Sequence, residues 1–247
     1  MCLLAQVYPV RKQNYQMKRL VMGYKNIFLL FFLSFLLMIV YTSQLFADVR
    51  FAFSEELYNK VLSVYNKSAE NRVRQWQQVL FENTGSDTAD QLYEINRFFN
   101  RLEFVDDLTH WNKNDYWATP VEFLATNGGD CEDFTIAKYF SLRALGVPTE
   151  KLRLMYVKAL RYDMAHMVLA YYETPLSIPL VLDNLNPDIL PANKRRDLKP
   201  VYSFNGDGLW IAKEKGQGKQ VQKGGNNNLW EDLNKRMIQE SNNNKDK

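Results

Sequence analysis

The chain has 247 residues, of which 46% are hydrophobic and 14% aromatic, enough to bury a core in one sizeable domain with segments to spare. Its formal charge of +3 misleads, because five of its 31 basic residues (Arg11, Lys12, Lys18, Arg19, Lys25) and none of its 28 acids fall in residues 1 to 47, leaving 26 basic against 28 acidic residues in the rest. A near-neutral body without a basic patch argues against nucleic acid as a partner.

Those early positives precede Ile27 to Tyr41 (IFLLFFLSFLLMIVY), an uncharged run followed by Thr-Ser-Gln-Leu-Phe-Ala and then Asp48. A basic n-region, an apolar h-region and a small residue at the cut make a secretory signal, with cleavage expected after Ala47. A helix spanning a bilayer needs about 20 apolar residues; this run is shorter, which favours export with cleavage over an uncleaved inner-membrane anchor. Met22 is an alternative start, since Met-Gly-Tyr-Lys-Asn and the apolar run make a compact signal by themselves. Of the two cysteines, Cys2 lies in the leader, so a mature chain holds Cys131 alone and no internal disulfide. A lone thiol in an oxidising compartment is a liability unless it has a task, although an inert buried cysteine is common.

Ser54-Glu55-Glu56 reads as an N-cap with first-turn acids. Leu57, Val61, Val64, Val73, Trp76 and Leu80 then recur at helical spacing and predict one or two helices over 55–81. After a loop at 83–87, Leu92, Ile95, Phe99 and Leu102 mark one face of a helix over 88–102. Residues 106–120 read as an ordered aromatic loop. Helix resumes from Asp130 to about Leu145 and is stopped by Gly146 and Pro148. From Lys151 the pattern alternates. Strands are expected over 151–156, 166–172 and 180–185, with 173–178 as a hairpin connection. Asn205-Gly206-Asp207-Gly208 makes a tight turn between short strands over 202–212. Helices first and an antiparallel sheet afterwards is an α+β arrangement. Residues 213–247, rich in Gly, Gln, Asn and Lys, read as a disordered tail with at most a short helix around Leu229 to Ile238.

The chemistry gathers at Gly128-Gly129-Asp130-Cys131-Glu132-Asp133. The glycines allow a sharp turn, and the helix that follows puts Cys131 in its first turn, where free N–H groups and the dipole favour a thiolate and offer an oxyanion site. Asp130, Glu132 and Asp133 oppose that thiolate unless a cation is bound, and they are hard oxygen ligands of the kind calcium takes. As residue types alone they are equally an N-cap with first-turn acids. A thiol needs a base, and only His110 and His166 are available. His166 opens a strand; Asp183 lies on the next one, and the two are symmetric about the hairpin centre near Thr174 and Pro175, so they should face each other or nearly so. An acid there fixes the imidazole tautomer and stabilises its cation. His110, in Thr109-His110-Trp111-Asn112, has no such partner and reads as a packing residue. Trp117 is either an oxyanion-hole donor or a core aromatic.

Gly-Gly-Asp-Cys-Glu-Asp-Phe, His-Met-Val-Leu-Ala-Tyr-Tyr and Leu-Val-Leu-Asp-Asn-Leu resemble the bacterial transglutaminase-like cysteine proteinases of the LapG type. Asp115 to Leu124 and Pro200 to Gly206 match that pattern too, so the resemblance spans roughly residues 96–210. It implies a papain-like/transglutaminase-like fold over 48–212, with the helical N-terminal part packed on an antiparallel sheet. It further implies a triad of Cys131, His166 and Asp183, and calcium held by Asp130 and Glu132 with Asp133 as a third candidate. The function it implies is a calcium-dependent periplasmic endopeptidase that cleaves the N-terminal region of a large repeat-containing surface adhesin and releases biofilm cells. The periplasmic domain of a LapD-type cyclic di-GMP receptor is the implied sequestering partner. Two other classes remain open on the residues: acyl transfer to an amine by the same triad, and a periplasmic binding protein that does not cut.

Overall fold

The computed structural model describes residues 53–211, 219–223 and 228–242; the leader assigned to 1–47 lies outside them. Ser54 accepts from the Leu57 N–H and starts α1 (Glu55–Val64). Asn66 caps α2 (Lys67–Glu82) in the same way through Ala69. The apolar stripe of α2 buries Val73, Trp76 and Leu80. Residues 88–99 form α3 (Thr88–Phe99), shorter by a turn than the predicted helix because the chain peels into β1 (Glu103–Phe104).

The stretch read as a loop contains α4 (Asp107–Trp111), and beyond it lies α5 (Pro120–Thr126). Thr119 and Glu122 form a complete capping box with Pro120 at the first helical position, a start signal that the sequence carries openly. α5 ends on Asn127 in the left-handed region, and β2 (Gly128–Gly129) then pairs parallel with β1. α6 (Cys131–Ala144) is the central helix, with Phe134, Ile136, Ala137, Tyr139 and Leu142 all buried. It is tied to α2 by the Trp76 indole, which donates to the Ser141 hydroxyl at 2.8 Å.

Seven antiparallel strands follow in the order β6-β5-β4-β3-β7-β8-β9. They are β3 (Leu152–Ala159), β4 (Met164–Tyr171), β5 (Leu180–Leu182), β6 (Leu190–Pro191), β7 (Leu198–Asn205), β8 (Gly208–Ile211) and β9 (Lys219–Lys223). Leu152, Leu154, Met167, Leu169, Leu182 and Phe204 face the helices and join the main core. Met155, Val157, Val168, Ala170 and Val181 form a second, smaller layer on the other face, covered by Ala192 and Leu198. The predicted turn is there: Asn205 pairs Gly208 across Gly206-Asp207.

Within the segment read as a disordered tail, the helix expected around Leu229 to Ile238 is present and longer, and the disorder is corrected for the described strand at Lys219–Lys223. β9 extends the sheet along β8, and α7 (Asn228–Asn242) docks on the core. Trp230 stacks on Phe140 with ring centroids 5.6 Å apart and meets Tyr139 and Phe204 edge-on, while Leu233 is fully buried. Polar composition misled because few apolar residues, placed on one helical face, suffice to bury a helix against an existing core.

Candidate active site

Cys131 occupies the first turn of α6, and Asp130 is its N-cap, accepting from the Glu132 N–H. The Asp133 side chain reaches back to the Asp130 N–H, so Asp130 and Asp133 form a capping box and the helix-start reading of these acids holds. The two preceding glycines are dictated by space. A side chain at Gly128 would meet the Glu103 carbonyl, and one at Gly129 would collide with the Asp133 carboxylate.

β5 is short and pairs β4 only from Leu169 to Tyr171. Earlier in β4 the edge that β5 leaves is taken by α6. The Thr135 hydroxyl lies 3.1 Å from the Met167 carbonyl, and the Met167 N–H points at the Cys131 thiol. The thiol thus lies against the residue that follows His166. Its own hydrogen bond goes to Glu132 Oε2 at 2.7 Å. Burial first, and then the charge of Glu132 and Asp130, push the thiol well above its ordinary pKa; the Met167 N–H works the other way.

His166 and Asp183 are brought together. His166 Nε2 lies 2.7 Å from Asp183 Oδ1, both side chains fully buried, and Nδ1 is buried with no partner among the described residues. The register differs from simple hairpin symmetry: Leu169 pairs Leu182, so Asp183 falls across from Val168 and not from His166. An offset of two residues keeps both side chains on one face, and the diagonal remains within reach. Asp183 sits just past the end of β5 and is held by more than histidine. Its backbone carbonyl accepts from Asn100 at 2.8 Å, Oδ1 accepts from the Leu185 N–H, and Oδ2 accepts from Arg195 at 2.6 Å. Burial alone would raise this carboxyl, but the bonds from His166 and Arg195 override it and leave the group at about 2. Arg195 is itself buried and braced by Asp197 at 2.7 Å. Nothing in Lys194-Arg195-Arg196 marks the middle residue by spacing, which is why sequence reasoning passes it over.

The acids beside the thiol fall into two overlapping groups. Asp107, Asp130 and Asp133 bring carboxylate oxygens within 4.8 Å of one another, and Asp130, Cys131 and Glu132 do the same with the sulfur included. The predicted ligands therefore do not form a single set, and Asp107, the first residue of α4, is an addition. Asp107 Oδ2 accepts from the Tyr116 N–H at 2.5 Å, whereas Oδ1 is buried and has no partner among the described residues. Asp133 Oδ1 accepts from the Ala118 N–H at 2.7 Å. Burial raises Asp107 to about 6, and burial with mutual repulsion drives Asp130 and Asp133 far up as well. Crowded, desolvated carboxylates with an orphaned oxygen fit a hard cation. No sequence pattern links Asp107 to Asp130; the fold does, through the 115–119 segment.

His110 lies in α4, edge-on to Trp111 at 4.7 Å, and makes no ion pair among the described residues. Trp117 is buried and stacked on Phe204 at 5.6 Å.

A thiol on a central helix, seated on an antiparallel sheet that carries a histidine–aspartate pair, defines a papain-like/transglutaminase-like α+β fold. Residues 63–199 match the family described as bacterial transglutaminase-like cysteine proteinases. No curated protein matches the chain. Calcium-bound LapG of Legionella pneumophila is 42% identical over 75% of this chain and 99% of its own, with a TM-score of 0.65. The EGTA-treated form of that protein is 41% identical over 74% and 96%, with a TM-score of 0.66. The chain belongs to the bacterial transglutaminase-like cysteine proteinase family and is a cysteine protease of the LapG type.

Proposed function

We propose that the chain is a calcium-dependent periplasmic cysteine endopeptidase in which Cys131, His166 and Asp183 form the triad. Its proposed substrate is the N-terminal region of a large surface adhesin, whose release disperses biofilm cells, and its proposed sequestering partner is a LapD-type cyclic di-GMP receptor. The observation that carries the triad is the buried 2.7 Å His166–Asp183 pair, whose histidine is on the strand against which the Cys131 thiol lies. With Nε2 committed to Asp183, Nδ1 is the nitrogen left to take the thiol proton. The thiolate then attacks the peptide carbonyl, and the first-turn N–H groups of α6 receive the developing oxyanion. Protonated Nδ1 returns its proton to the leaving amine, and water, deprotonated by the same nitrogen, releases the acyl-enzyme.

Asp107, Asp130, Asp133 and Glu132 are the residues proposed to hold calcium, on the strength of their crowding and the orphaned Asp107 oxygen. Bound there, the ion supplies the positive charge that offsets the carboxylates' opposition to a thiolate. The periplasmic setting rests on the leader at 1–47, and the adhesin and receptor rest on family kinship.

Mass spectrometry of an adhesin N-terminal fragment incubated with the mature protein tests the reading. Two defined fragments are expected with wild type, none with Cys131→Ala, and none with wild type in EGTA until calcium is restored. Cleavage by Cys131→Ala would remove the nucleophile assignment, full cleavage in EGTA would remove the calcium requirement, and a product carrying an added labelled amine in place of two fragments would mean acyl transfer.

A further inference from the structure

The 115–119 segment is gripped from two sides. On one side its backbone serves the acidic cluster: the Tyr116 N–H holds Asp107 Oδ2 and the Ala118 N–H holds Asp133 Oδ1. On the other side lies α7, which falls beyond the 63–199 span that matches the family. Arg236 of α7 donates to the Trp117 carbonyl, pairs with Glu122, lies over the Tyr116 ring at 4.5 Å, and is oriented by Asp232 four residues earlier at 3.0 Å. Glu122 in turn accepts from the Tyr116 hydroxyl at 2.9 Å and from the Thr119 N–H at 2.8 Å. One turn on, Glu240 accepts from the Thr119 hydroxyl at 2.8 Å. The peptide groups that aim two cluster carboxylates and the peptide carbonyl between them are thus all fixed, and the carbonyl is fixed by α7.

We infer that Arg236 is a positioning residue for the cation site: from α7 it locks the Tyr116–Thr119 backbone whose N–H groups aim Asp107 and Asp133, so that docking of the C-terminal helix sets the affinity for calcium. This rests on the calcium reading above. A planar guanidinium suits the task because it serves a backbone carbonyl, a carboxylate and an aromatic face at once, which an ammonium cannot. Without it, the carboxylates lose a fixed separation, and hard cations bind according to how well their oxygen ligands are prearranged.

Isothermal calorimetry with calcium chloride on the mature protein, calcium first stripped with EGTA, tests the inference. Arg236→Ala should weaken calcium binding about tenfold or more. Arg236→Lys, which keeps one ion pair and loses the fork, should fall between it and wild type; this milder variant decides the matter if Arg236→Ala does not fold, as judged by circular dichroism. Leu80→Ala, a core cavity in α2, should lower thermal stability and leave calcium binding near wild type. Wild-type affinity in the Arg236 variants overturns the inference, as does an equal loss in Leu80→Ala, which would make the effect one of general stability. If wild type itself takes up no calcium, the calcium reading falls and the inference with it, and that result is distinct from the other two.

Discussion

Asp183 and Asp133 are both buried carboxylates, and the protein treats them in opposite ways. Asp183 meets a histidine and an arginine supplied by the chain, and its carboxyl is held at about 2. Asp133 meets two more aspartates and only the backbone N–H groups of Ala118 and Asp130, and its carboxyl is pushed far up. Burial disfavours the charged form of both groups; what differs is whether the compensating positive charge is built into the chain. The histidine side of the site is therefore complete in itself, while the thiol side is left electrostatically open to an external cation.

Substitutions that strip the built-in charge should break this contrast most severely. Asp183→Asn keeps the shape and removes the charge, so kcat for cleavage of the proposed adhesin fragment should fall by about 10³- to 10⁴-fold, as expected for a lost tautomer-setting acid; a loss under tenfold would make Asp183 merely structural. Next comes Arg195→Met, which leaves Asp183 buried with no cation on Oδ2. Removing one partner of a buried pair costs about 3–5 kcal/mol, to be read as a lower urea midpoint, with a correspondingly weaker protease; an unchanged midpoint would mean that Asp197 and Asp183 do not depend on it.

The smallest effect sharpens the contrast through pH. Asp183 has a depressed folded pKa, so its contribution is present above about 4 and is lost as pH falls towards 2, a loss of about 2 kcal/mol. Asp107 has a raised folded pKa, so its contribution is present below about 4 and is lost as pH rises through about 6. Thermal unfolding followed from pH 3 to 8 in EGTA should show both slopes. Asp130 and Asp133, raised as well, add to the upper slope, so calcium should flatten the upper one alone, and calcium that leaves it in place would separate the three aspartates from the cation site.

How much of this was legible in the sequence follows from how local each signal is. Cys131 declares itself as the one thiol after the expected leader, and His166 and Asp183 follow from period-two alternation on neighbouring strands. Even so, the short β5 shifts the pairing by two residues, and only the parity of the strand, not its register, survived the hairpin argument. Asp107 and Arg195 are invisible for a different reason. Each acts through a tertiary contact: Asp107 reaches Asp130 and Asp133, and Arg195 reaches Asp183 from a run of three basic residues with no periodicity. α5 is a miss of another kind, because its Thr119–Glu122 capping box is a purely local signal. The helix expected around Leu229 to Ile238 is present as α7, but the polar majority of the segment hid its docking on the core through Trp230, Leu233 and Met237.

The seating of α6 on the open edge of β4 links failure of activity to failure of solubility. An uncovered strand edge is a template for another chain, and here the cover is the same helical turn that carries the thiol, through Thr135 and Cys131 against Met167. Fraying of that turn would misplace the sulfur and bare a pairing edge in one event. Inactivation and self-association should therefore share a common first step, and a batch losing its activity on storage should be found growing in particle size on the same clock.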